Sequence, residues 1–282
     1  MPRKADNAVY QFMILRRNMT YLSRLAAIFL ALLISTAAFA ATNPAPVGPP
    51  AQPVYAILSL IGDELSVIAS QLKVGDAPES NFKRAVPIEE PVFDNIAIRA
   101  TIDAVRRVRP GAEMAALNTR SPVLFAKQRQ LFDEQNGVMT IPEAIIGALA
   151  QQGATHLILI TKYRDETRAL IPGAPGLAAR MEGLGFFLNG AAVTTDPATG
   201  STGRGYISPF TFFQMALIEL QSRKVLRTRV VSASEPFSAA STPSGDDPWA
   251  ALTSAQKIAA IEALLTREIA RVIPLMFDWL KR

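Results

Sequence analysis

Cysteine is absent from the 282 residues, and histidine occurs once, as His156. The first absence excludes disulfide scaffolds, Cys-ligated zinc, iron–sulfur clusters and thiol nucleophiles. The second excludes any metal site that needs two imidazoles from one chain, and leaves at most one conventional Ser–His–Asp arrangement. Charged residues are only 19% of the chain, too few for a disordered polymer, and the 16 glycines show no collagen-like period. No apolar run approaches the roughly 20 residues of a membrane-spanning helix. What the chain does have is 49% hydrophobic residues and a mean hydropathy of +0.19, enough to bury a sizeable core.

The longest apolar run, Leu25 to Ile34 (LAAIFLALLI), follows Arg16, Arg17 and Arg24 and precedes Ser-Thr-Ala-Ala-Phe-Ala40. A basic segment, a short apolar stretch and small residues at Ala38 and Ala40 predict a secretory signal peptide over 1–40, cut between Ala40 and Ala41. Met19 would open a signal of more ordinary length. Arg16-Arg17 is followed by Asn18-Met19-Thr20, a poor match to twin-arginine export. Position 41 is Ala, not the Cys of a lipid-anchored protein. The expected location is periplasmic or secreted, with no stable membrane span after cleavage.

Removing this segment changes the charge argument. Five of the 29 bases and one of the 24 acids lie in residues 1–40, so the remainder holds 24 bases and 23 acids, a net +1. The basic pI belongs largely to the targeting segment, and no basic run with interleaved aromatics replaces it. Nucleic acid is therefore not an expected partner.

Residues 41–53 (ATNPAPVGPPAQP) carry five prolines and read as an extended linker. Residues 54–282 then read as one α/β domain, with a mixed central sheet that includes two β-hairpins, packed by helices and closed by a C-terminal helix. Tyr55–Ile61 and Glu64–Ser70 predict the first hairpin around Gly62-Asp63. Asp94 would cap a helix over 94–109, buried through Ile98, Ile102, Val105 and Val108 and ended by Pro110-Gly111. Glu113–Leu117 reads as a strand and Pro122–Phe132 as a helix. Thr140-Ile-Pro-Glu143 predicts a capping box, a helix to Gln152, a stop at Gly153 and a buried strand over 154–161. Gly183–Leu188 is a further apolar strand. Tyr206–Leu220 and Val225–Ser232 predict the second hairpin, its first strand central because both faces are apolar. Thr253-Ser-Ala-Gln256 opens a helix to Val272 with Ile258, Ile261, Leu265 and Ile269 buried, and Pro274 kinks or ends it.

Chemistry-bearing motifs are few. His156 has no G-x-S-x-G serine and reads as a structural residue. GSTGRG lacks the Lys-Ser/Thr of a phosphate loop, and Gly183-Leu-Gly185 lacks the rest of a dinucleotide fingerprint. Arg106, Arg107 and Arg109 could grip an anion but read as complements of the helix dipole. Phe210, Phe212 and Phe213 could line a lipid pocket but read as core. Thus no catalytic, cofactor-binding or metal-ligating residue is expected. The candidate surface site is Lys162, Tyr163, Arg164 and Asp165, where a buried strand ends in a polar run. The tail with Phe277 and Trp279 reads as packing on the domain's own core, because the preceding helix delivers it onto the sheet; its alternative role is a docking element.

The stretch GATHLILITKYR, followed by MALIELQSRKVL and a C-terminal helix, resembles the α/β domains of the TolB amino-terminal and curli-assembly-lipoprotein type. Thr155-His156 stands where those domains carry an acid, and Gln221–Lys224 lacks their turn glycine. The resemblance spans roughly residues 92–273. The chain is also similar to exported proteobacterial proteins of uncharacterised role. The resemblance to the TolB and curli-assembly type implies a non-enzymatic envelope protein that binds a protein or cell-wall component. The alternative is a periplasmic hydrolase using acids such as Asp63, Asp94, Asp165 or Glu166, two of which would have to converge.

Overall fold

The computed structural model describes residues 52–70, 82–133, 137–165, 181–196, 199–241 and 247–278; the segment expected to be a signal peptide and nearly all of the expected Pro-rich linker lie outside them. Residues 49–282 form one compact unit. In chain order it holds β1 (Val54–Leu60), β2 (Glu64–Ala69), β3 (Phe82–Pro87), α1 (Val92–Val108), β4 (Glu113–Leu117) and α2 (Pro122–Lys127). There follow β5 (Phe132–Asp133), β6 (Val138–Met139), α3 (Glu143–Gln151), β7 (His156–Lys162), β8 (Arg164–Asp165) and β9 (Met181–Thr195). β10 (Thr202–Glu219), β11 (Val225–Ser234), β12 (Phe237–Ser238) and α4 (Ser254–Phe277) complete it. This is the mixed α/β sheet expected from the sequence.

The axis of the sheet is β10, whose central residues Ile207, Phe210, Phe212, Phe213, Met215 and Leu217 are all fully buried. Along one edge it pairs antiparallel with β11 and β12. Along the other it pairs with β9 as far as Phe212 and with β7 from Phe213 onward. The sheet therefore forks. One arm runs β7-β1-β4, all parallel; the other runs β9-β2-β3.

This overturns the first predicted hairpin. β1 and β2 do not pair with each other; Gly62-Asp63 carries the chain from one arm to the other, and β3, a mostly exposed edge strand, supplies β2 with its antiparallel partner. Continuous burial of β1 on both faces is the mark of a parallel interior strand rather than a hairpin arm. The second hairpin, β10–β11, forms as expected.

Helices α1 and α4 pack on one face of the sheet, with Ile57, Ile158, Phe213 and Met215 beneath Ala97, Val105, Leu265 and Ile269. The other face buries Leu58, Leu157, Leu159 and Ile218 against Leu149 of α3 and Met139 of β6. Alternation along fully buried strands feeds both cores at once.

Helix ends show where local signals win and lose. Thr253 and Gln256 form the reciprocal capping box, and Thr253→Ala should lower stability by about 1 kcal/mol in a denaturant melt. The box predicted at Thr140 does not form, because α3 begins at Glu143 with Pro142 at its cap. Asp94 does not cap α1 either: the helix starts two residues earlier, behind Pro91, and Asp94 turns inward. α4 also runs through Pro274 to Phe277. Burying Met276 and Phe277 outweighs the roughly 3 kcal/mol cost of a helical proline. Ile258, expected in the buried stripe, is 48% exposed.

Candidate functional site

The fork creates a cleft of about 550 Å³ outside the carboxyl ends of β1, β4 and β7. A crevice where strand order switches is where open α/β sheets place ligands. Asp63, Glu64, Glu89, Asp94, Arg120, Arg129, Lys162 and Glu182 supply its charge among the described residues.

Asp94 sits on the floor, 3% exposed, in the first turn of α1. Its Oδ1 accepts from the Ser59 hydroxyl at 2.6 Å, the Ile61 N–H at 3.0 Å and the Gly62 N–H at 3.1 Å. Only glycine fits at position 62, since a Cβ there would lie 2.7 Å from Asp94 Oδ2. Burial pushes the Asp94 carboxyl above the ordinary carboxylate range; the bonds from Ser59, Ile61 and Gly62 oppose that rise, and the Asp63 charge adds to it.

Lys162 ends β7, and its N–H donates to Gln128 Oε1 at 2.8 Å. Its side chain, 8% exposed, runs over Gly183, whose φ of +68° belongs to the left-handed region and which has no Cβ to meet the lysine stem. The ammonium lies 2.6 Å from Asp63 Oδ1 and donates to Glu64 Oε1 at 3.1 Å. Arg129 and Glu182 pair across the opposite wall. The cleft is an ionic latch joining the two arms.

Of the predicted polar run, Lys162 alone lines this cleft. Tyr163 donates its N–H to the Phe212 carbonyl, and Arg164 and Asp165 follow as β8, paired with Glu182 and Met181 of β9. Asp63 and Asp94 do come together here, whereas Glu166 lies outside the described residues. Glu64, Gln128, Arg129 and Glu182 were not anticipated, because no motif links strand ends that meet only through the fork.

His156 lies elsewhere, half-buried, with Nδ1 2.8 Å from Thr155 Oγ1 and its ring 5.3 Å from that of Tyr55. Burial lowers its pKa, and Glu219 opposes this. Arg106 and Arg107 are exposed on the last turn of α1, and Arg109 lies 6.0 Å from the Phe277 ring. Phe277 is 2% exposed within the main core; Trp279 lies outside the described residues.

A second concavity, about 440 Å³, opens between the β2–β3–β9 arm and the start of α4. Phe82, Ile258 and Trp249 stand on it at 55%, 48% and 41% exposure. Trp249 meets Phe186 edge-on at 5.6 Å. Lys257 lies 4.1 Å above the Trp249 ring and donates to the carbonyls of Trp249 at 2.7 Å and Leu252 at 2.5 Å. Burial lowers its pKa, while Asp247 opposes the shift.

Among the described residues, no group of three or more His, Asp or Glu is arranged to hold a metal, and no helix is long and apolar enough to cross a membrane. No family model and no curated protein matches the chain. Solved structures similar to it include a Xanthomonas campestris protein of family model DUF330, 12% identical over 80% of this chain and 86% of that one, TM-score 0.32. Another is a putative neuraminyllactose-binding hemagglutinin homolog from Helicobacter pylori, 10% identical over 82% and 87%, TM-score 0.35. A third is the LpoB C-terminal domain from Salmonella enterica, 10% identical over 67% and 87%, TM-score 0.22. These likenesses are weak.

Proposed function

We propose that the chain is an exported, non-enzymatic protein of the cell envelope that works by binding, and that its working surface is the apolar groove beside Trp249. The observation that carries this reading is the exposure of Phe82, Trp249 and Ile258 on one concave surface. Large apolar side chains gathered at the surface of an otherwise well-buried domain mark an interaction site. The groove favours an apolar partner over a wall glycan, which would need many more hydrogen-bonding groups than Arg84, Ser254 and Lys257 supply.

The polar cleft gives the hydrolase alternative less support. Asp94 Oδ1 holds three donors, Asp63 and Glu64 share Lys162, and Glu182 holds Arg129. A general acid and base need carboxyls available to a substrate and a water. These four carboxyls are engaged in holding the end of β1 and the fork, and the one other that lines the cleft among the described residues, Glu89, is exposed on its rim.

Two measurements test the reading. N-terminal sequencing of the exported protein should begin at Ala41; a membrane-retained chain still carrying Leu25 to Ile34 would make that run an anchor. A photo-crosslinking residue in place of Phe82 should form an adduct in the native envelope, and one in place of Arg106 on α1 should not. No adduct from position 82, or equal adducts from both, would count against the groove.

A further inference from the structure

We infer that the groove takes a single acyl chain bearing an anionic headgroup, of the long-chain fatty-acid type; this rests on the groove being the working surface. Its volume, about 440 Å³, falls within the roughly 300–1,000 Å³ of small-molecule sites. A stable protein interface instead covers about 800 Å² on each partner.

Its wall chemistry is one-sided. Leu65, Val67, Phe186 and Leu188 form an apolar floor from β2 and β9, and no Asp or Glu lines it among the described residues. Among the described residues, the charged ones that line it are Arg84 and Lys257, both cationic. Arg84 points to the groove side of β3 along with Phe82 and Val86, as the two-residue period of a strand requires. Among the described residues, no carboxylate lies within ion-pair distance of either cation.

Lys257 is the better satisfied of the two. It is only 9% exposed, and its ammonium is held by two backbone carbonyls and the Trp249 ring. Those partners and the nearby charge of Asp247 already answer the Lys257 ammonium, so Arg84 is the cation left for a ligand to meet. An apolar trough with cations at its walls suits a ligand that is apolar along its length and anionic at one end. A neutral apolar chain would leave Arg84 unanswered.

The test uses the mature chain carrying Trp279→Phe, which leaves Trp249 as its sole tryptophan. The probe is 9,10-dibromostearate below its micelle concentration, whose bromines quench tryptophan on contact. Saturable quenching that unbrominated stearate reverses is expected. Arg84→Gln should weaken binding several-fold. Ile258→Glu, an exposed change to a good helix former, should weaken it more than tenfold with an unaltered circular dichroism spectrum. Absence of saturable quenching, or equal binding of a dibrominated alkyl-trimethylammonium, would overturn the inference. If the bromolipid fails while Ile258→Glu still abolishes the adduct from position 82, the groove serves a protein segment: the inference falls and the proposed function stands. If that adduct is also unaffected by Ile258→Glu, both fall.

Discussion

Phe277→Ala should destabilise the isolated mature domain by about 3–5 kcal/mol, a drop in Tm of about 6–20 °C for a domain of this size. The ring is 2% exposed, meets Tyr55 edge-on at 5.4 Å, and lies beside the Arg109 guanidinium and the buried Met276. Truncation removes apolar area, an aromatic pair and the filling of a close-packed site at once. Leu275, two residues earlier on the other side of α4 and 42% exposed, is the internal control, and Leu275→Ala should cost well under 1 kcal/mol. A Phe277→Ala protein that melts like wild type but loses its envelope adduct would return the tail to the role of docking element.

Asp94 gives the other large effect. Asp94→Ala would leave the Ser59 hydroxyl and the Ile61 and Gly62 N–H groups buried without their acceptor, at about 1–3 kcal/mol each. Loss of most of the domain's stability is the expected result in a denaturant melt. Asp94→Asn keeps the Oδ1 acceptor and should stay within about 1.5 kcal/mol of wild type. The pH dependence separates the two further. Because burial raises the folded pKa of Asp94, the native state binds more protons than the unfolded chain between the ordinary carboxylate value and the raised one. Wild type is therefore most stable relative to Asp94→Asn at low pH, and loses that margin as the pH rises through the raised value. A margin that grows with rising pH would mean that the three donors outweigh burial.

How far the sequence could be read depended on the range of the interactions. Helices α1 and α4, the β10–β11 hairpin and the buried strand before Lys162 were legible because each is written in local periodicity and caps. The Thr253 capping box and the stop at Gly153, with φ +72°, are local devices and formed as read. The fork was not legible. Whether Gly62-Asp63 closes a hairpin or crosses between arms depends on β3, β7 and β9, which lie 20 to 130 residues away along the chain. The same holds for the cleft, where Lys162 meets Asp63 across 99 positions. Lys162 could be singled out because a polar run ended an apolar strand, but its partners could not. The groove was hidden for a related reason. Ile258 fits the periodic stripe of α4, yet it stands 48% exposed at the groove, which the stripe alone does not foretell.

The central claim, that the chain works through the groove and not the polar cleft, is tested most directly by two matched variants in the native envelope. Each carries the photo-crosslinking residue at position 82; one adds Ile258→Glu in the groove and the other Glu64→Gln in the cleft. The account predicts that Ile258→Glu abolishes the adduct and Glu64→Gln leaves it intact. An adduct that survives Ile258→Glu and disappears with Glu64→Gln would contradict the account and place the working site at the fork.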